Sequence, residues 1–99
     1  MTAAETTGAT GATVRVPTIL RTYTGGERTT SATGSTLGEL LGDLDARHPG
    51  IGERVLDGGA LRRFVNVYVN DEDVRFTGGL DTPVADGDEV TILPAVAGG

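Results

Sequence analysis

At 99 residues the chain is long enough for one domain and too short for two, so its core is modest and a deep catalytic cleft is disfavoured. A net charge of −6 argues against phosphate-backbone binding, which needs clustered Lys and Arg, and fits a basic partner or simple solubility. Cysteine is absent and all eight basic residues are arginine, which excludes disulfides, thiolate ligands, a thiol nucleophile and Schiff-base lysine chemistry.

Residues 1–12 are Thr, Ala and Gly with a single charge and no apolar periodicity, and read as a disordered N-terminal arm. Order is expected from about Thr13. Val14, Val16 and Thr18 alternate with Arg15 and Pro17, as in a half-buried strand whose proline marks a sheet edge or a strand end. Tyr23-Thr24-Gly25-Gly26 supplies a turn, and the threonine-rich Arg28–Thr33 reads as the return strand of a hairpin. Leu37, Leu40, Leu41 and Leu44 fall at helical spacing on one stripe. Thr36 with Glu39 fits a capping box at its start, and His48-Pro49-Gly50 ends it. Ile51 to Leu56 reads as a further short turn and Asp57-Gly58-Gly59 as a loop.

Phe64–Asn70 is the clearest strand, with Val65, Val67 and Val69 on one face and Phe64, Asn66, Tyr68 and Asn70 on the other. Asp71-Glu72-Asp73 is expected to turn the chain, Val74–Thr77 to form a short strand, and Asp86-Gly87-Asp88 to turn again. Glu89–Pro94 is the last strand, with Val90 and Ile92 inward and Thr91 and Leu93 outward. One helix packed on one face of a mixed sheet of about five strands gives an α+β domain over 13–94. If the neighbouring strands pair, Phe64, Tyr68 and Leu93 form an outward apolar patch of the kind that marks a partner site.

Residues 95–99, Ala-Val-Ala-Gly-Gly, read as a flexible tail. Five extended residues reach roughly 16 Å at about 3.3 Å each, enough to place a terminal carboxylate in another protein's active site. Gly98 and Gly99 lack Cβ, so the backbone can thread a narrow channel. A carboxylate is a poor electrophile until it is joined to a good leaving group such as a nucleotide phosphate. The chain has no GxxxxGK[ST] sequence, so another protein must bind the ATP. With no cysteine to hold a persulfide, any sulfur carried here rides on the C-terminal carbonyl, as a thiocarboxylate.

Three blocks, VRVPTILRTYTGG, FVNVYVNDEDVRF and VADGDEVTILPAVAGG, resemble the ThiS/MoaD sulfur-carrier family, and most of all its CysO-type actinobacterial branch; the resemblance spans roughly Thr13 to Gly99. It implies a ubiquitin-like β-grasp fold and the role of a protein co-substrate rather than an enzyme. It implies docking on a ubiquitin-activating-like adenylyltransferase/sulfurtransferase that uses ATP, while the chain itself binds no cofactor or metal. Gly99 would be adenylated and converted to the thiocarboxylate, Gly98 would give access, and Phe64, Tyr68, Leu93 and Val96 would contact partners. The sulfur would pass to an acceptor enzyme, either a cysteine synthase or a ThiG-like synthase making a thiazole or thiosugar. Two alternatives stand beside this: the small subunit of molybdopterin synthase, and a non-covalent β-grasp interaction module.

The remaining signals are weak. Asp71, Glu72 and Asp73 lack the spacing of a calcium loop and read as a solvated turn. His48 is the single histidine and has no triad partners; Arg62-Arg63 reads as ordinary surface. No run of about 18 apolar residues and no basic-then-apolar leader is present, so the expected location is the cytoplasm.

Overall fold

The computed structural model describes residues 11–63 and 65–94, with the backbone alone at Pro94. Strand β1 (Gly11–Arg15) pairs antiparallel with β2 (Thr29–Thr33). Helix α1 (Leu37–Arg47) and the short α2 (Ile51–Val55) follow, then a two-residue hairpin, β3 (Leu56–Asp57) with β4 (Ala60–Leu61). Strand β5 (Val65–Val69), the short β6 (Glu72–Asp73) and β7 (Glu89–Pro94) complete a five-stranded sheet of order β2-β1-β7-β5-β6. β7 runs parallel to β1 and antiparallel to β5. A mixed sheet with its first and last strands parallel at the centre, and one main helix across one face, is the β-grasp architecture expected from the sequence.

Alternation explains the sheet. Val14, Val67, Val90 and Ile92 are buried and face the leucine stripe of α1, where Leu37, Leu40, Leu41 and Leu44 are all at most 1% exposed. Burying each such leucine stabilises the fold by about 1.5–3 kcal/mol. The capping box is displaced by one residue. Thr36 Oγ1 accepts from the Glu39 N–H at 3.2 Å, but the Glu39 carboxylate accepts from the N–H and hydroxyl of Ser35, at 3.0 and 2.8 Å. Gly34 sits so close beneath α1 that an added Cβ would lie 2.4 Å from the Leu40 nitrogen, so no side chain fits there.

Four local expectations are corrected. β1 begins at Gly11, ahead of Thr13, because Ala12 pairs with Ala32 and both are buried. It also ends at Arg15: Pro17 starts a 3₁₀ helix, Thr18–Thr24, that turns Leu20 into the core, so Thr18 is not in a strand. The turn after β5 is centred on Asn70 and Asp71, both at positive φ (51° and 76°), which leaves Glu72 and Asp73 to pair back with Val69 and Tyr68. Val74–Phe76 is a 3₁₀ turn rather than a strand, because the Asp73 carboxylate accepts from the Arg75 N–H at 2.9 Å and competes with extended pairing. Gly79–Asp81 forms a third 3₁₀ turn.

Asp43 ties α1 to β2. Its Oδ2 accepts from the Thr33 N–H at 2.8 Å and from the Thr33 hydroxyl at 3.3 Å, and meets Arg47 Nε at 2.7 Å. The Thr33 N–H, and after it the Arg47 charge, hold the carboxyl below the usual carboxylate range. A depressed folded pKa stabilises the fold above the unfolded value of about 3.9, and that stabilisation is lost as pH falls through the folded value. Asp43→Ala is therefore expected to cost about 1–3 kcal/mol in urea unfolding at neutral pH. It should also flatten the loss of stability expected as pH falls from about 5 through the folded pKa of Asp43. A variant with the wild-type urea midpoint at neutral pH would show the contact to be inert.

Candidate functional site

The last strand carries the chain from the core to the segment the sequence singled out. Val90 and Ile92 anchor β7 in the interior, and Thr91 and Leu93 project from the opposite face. Register then fixes the neighbours. Leu93 lies opposite Asn66, and Thr91 lies between Tyr68 on one side and Arg15 on the other. Leu93 and Tyr68 are thus diagonal neighbours on the outer face of adjacent strands. Leu93 is 46% exposed and Tyr68 is half-buried. Phe64, the third residue of the expected patch, lies outside the described residues, as do Val96, Gly98 and Gly99.

The surroundings of this face are more polar than the sequence indicated. Arg15 Nε donates to Glu89 Oε2 at 2.5 Å, and that bond, with the Glu89 charge, raises the guanidinium above its ordinary pKa. On the other side Arg75 bends back over the start of β5. It donates to Asn66 Oδ1 and, at 2.9 and 3.3 Å, to the carbonyls of Val65 and Arg63. Those bonds occupy the strand edge that two-residue β6 leaves uncovered, because β6 pairs only with Tyr68 and Val69. Leu93 and Tyr68 therefore sit between two arginines contributed by β1 and by the Val74–Phe76 turn. Arg75 could not be found from spacing, since its role depends on a turn where a strand was expected.

β7 is also clamped at its start. Asn70 donates through Nδ2 to Asp88 Oδ1 and accepts through Oδ1 from the Glu89 N–H, both at 2.9 Å. The Asp88 carboxylate accepts from the Ala85 N–H at 2.8 Å, which together with Asn70 holds its pKa below the usual range. The strand that leads to the tail is thus fixed at both ends of its described length, by side-chain clamps at Glu89 and by the ladder to β5 at Pro94.

Other residues singled out in the sequence have structural roles. His48 caps α1 and its Nε2 lies 2.9 Å from Thr30 Oγ1. Arg62 Nε donates to the Glu53 carbonyl at 2.7 Å, pinning the β3–β4 hairpin, and the Arg63 side chain is exposed. Asp71 and Glu72 are exposed in the turn after β5, and among the described residues no cluster of three His, Cys, Asp or Glu side chains could hold a metal. No helix among them is long and apolar enough to cross a membrane.

Residues 14–99 match the model of the ThiS family. The chain belongs to that family. It is 63% identical over 90 residues to the sulfur carrier protein CysO of Mycobacterium tuberculosis, covering 88% of this chain and 97% of that protein. Among solved structures it is similar to a chain of the Amycolatopsis orientalis BexX/CysO complex. There the TM-score is 0.85 at 59% identity, covering 89% of this chain and 99% of that one. The crystal structure of M. tuberculosis CysO gives a TM-score of 0.82 at 60% identity, covering 86% and 99%. ThiS-family membership and the β-grasp fold read from three sequence blocks thus both hold.

Proposed function

We propose that this chain is a sulfur carrier that works as a protein co-substrate of partner enzymes. The observation that carries the reading is the extent of the match. Identity of 63% covers almost the whole of the CysO protein of M. tuberculosis, and the family model runs through Gly99 itself. In this reading the Gly99 carboxylate attacks the α-phosphorus of ATP held by an adenylyltransferase, forming an acyl adenylate and releasing pyrophosphate. A sulfur nucleophile then adds to the carbonyl and AMP leaves, so the terminus becomes a thiocarboxylate. The thiocarboxylate sulfur next attacks an electrophilic acceptor on a biosynthetic enzyme. Hydrolysis of the acyl group left behind returns the carboxylate. Gly98 gives access to the channel, and Val96, Tyr68, Leu93 and Phe64 supply contacts.

Two features support this division of labour. The fold provides a buried strand, β7, that delivers the tail, and beside it an outward face bearing exposed Leu93. It also carries no phosphate-binding loop sequence, so activation belongs to the partner. A neighbour solved in the BexX/CysO complex supports a role in which a domain of this kind assembles with a partner protein. The resemblance to CysO favours cysteine formation as the destination of the sulfur.

Incubating the protein with ATP, sulfide and its adenylating enzyme should raise its intact mass by the difference between sulfur and oxygen. Fragmentation should place the change on Gly99. Mass gain on an internal residue, or none in the presence of the active enzyme, would refute the reading.

A further inference from the structure

A groove of about 590 Å³ runs beside the outer end of β7. Its walls bring together Arg15 from the end of β1, Arg21 from the Thr18–Thr24 helix and Arg28 from the loop before β2. Val16, Pro17, Ile92 and Leu93 contribute its apolar surface, so it is continuous with the exposed Leu93 on the strand that leads to the tail. The assembly is held rigidly. The buried Thr24 hydroxyl lies 2.9 Å from the Glu27 carbonyl and 3.1 Å from the Arg21 carbonyl, closing the loop that carries both arginines. The Val16 N–H donates to the Arg28 carbonyl at 2.8 Å, and Arg21 Nε donates to the Val16 carbonyl at 3.1 Å.

Three of the eight arginines thus converge on one groove in a chain of net charge −6. Arg15 is paired with Glu89, but among the described residues no carboxylate lies within 4.0 Å of Arg21 or Arg28. Arg28 is exposed, and Arg21 spends only Nε within the fold, leaving its outer nitrogens to bond elsewhere. Positive charge concentrated on an otherwise acidic surface steers and orients an acidic partner far more than it strengthens binding by itself. Guanidinium groups beside an apolar floor suit a carboxylate-bearing peptide segment, which they grip through paired N–H bonds.

We infer that this groove receives an acidic segment of the adenylating enzyme, which sets the register of the tail as it enters the active site. The inference rests on the sulfur-carrier reading and adds to it the chemistry of the partner surface. The segment carries Asp or Glu against Arg21 and Arg28, with an apolar side chain against Leu93.

The test measures binding of the full chain to the adenylating enzyme as a function of salt, alongside Gly99 modification at saturating carrier. Arg28→Glu should raise Kd about tenfold at low salt, and the difference from wild type should shrink as salt approaches about 0.5 M. Arg28→Lys, which keeps the charge without the paired N–H bonds, should bind between Arg28→Glu and wild type. Gly99 modification at saturating carrier should slow in Arg28→Glu, because the tail loses its register. Ala46→Glu combined with Ala60→Glu adds the same charge at two exposed positions that do not line the groove, and should leave Kd near wild type. Wild-type affinity and salt dependence in Arg28→Glu would overturn the inference, as would an equal loss in the alanine-site control. A wild-type protein left unmodified by ATP, sulfide and the active enzyme would instead sink the sulfur-carrier reading, and the inference with it.

Discussion

Adding one alanine after Gly99 is expected to abolish activation while leaving the fold intact. The chemistry proposed for this family member acts on one carbon, the α-carboxyl of Gly99, which must meet a nucleotide phosphate in the partner's site. One further residue moves that carboxylate about 3.3–3.6 Å along an extended chain. A misplacement of about 1 Å already costs roughly 10²-fold in rate, so adenylation of the extended protein should fall at least that far. The added methyl also meets a channel proposed to fit glycine. Deleting Gly99 should have the same effect by shortening the reach, and a bulky residue at Gly98 should slow the step by obstructing entry. The core that stabilises the domain is built from residues between Ala12 and Ile92, so thermal unfolding should match wild type. Removing residues 2–9, which precede β1, should leave adenylation unaffected. Normal adenylation of the extended protein with its alanine still attached would show that this terminus is not the working group.

Leu93→Asp is expected to give the second largest effect. Leu93 is the exposed apolar residue on the outer face of β7, opposite Asn66 and diagonal to Tyr68, one residue before Pro94. If a partner covers it, a carboxylate there must lose its water where Arg15 is already paired with Glu89 and Arg75 with backbone carbonyls. It also faces the acidic segment proposed for the adjoining groove. The cost is on the order of 2–3 kcal/mol of binding, about 30- to 150-fold in Kd. Stability should change little, because the burial of Val90 and Ile92 that holds the strand is untouched. Tyr68→Ala should weaken the same complexes less, since Tyr68 is already half-buried in the free protein. Affinity unchanged in Leu93→Asp, for both the adenylating and the sulfur-accepting enzyme, would remove this face from the mechanism.

The helix and the two longest inner strands could be read from the chain because their burial repeats locally. Leucines at helical spacing, or valines at every second position, face one side whatever they pack against. Thr36 and Glu39 were legible for the same reason, as a cap acts within one turn, although the Glu39 carboxylate chose Ser35 over the residue beside it. The misread segments are those where a side chain competes with the backbone. Asp73 bonding to the Arg75 N–H made a turn of a segment with strand composition. Pro17, followed by the need to bury Leu20, ended β1 early.

By itself the sequence determined the fold class, the inward set of β7, the outward position of Leu93 and the three blocks that place the chain in its family. These depend on periodicity and on residue identity, which the linear order contains. Only the tertiary structure decided that β1 and β7 lie side by side, with Arg15 bonded to a glutamate 74 residues away. The β5–β7 ladder sets Leu93 diagonal to Tyr68, and the β1–β7 pairing helps gather Arg15, Arg21 and Arg28 into one groove. The three arginines lie on a strand, a 3₁₀ helix and a loop with no common spacing. Their convergence comes from long-range strand pairing and from the burial of Leu20 and Thr24, which no local pattern encodes.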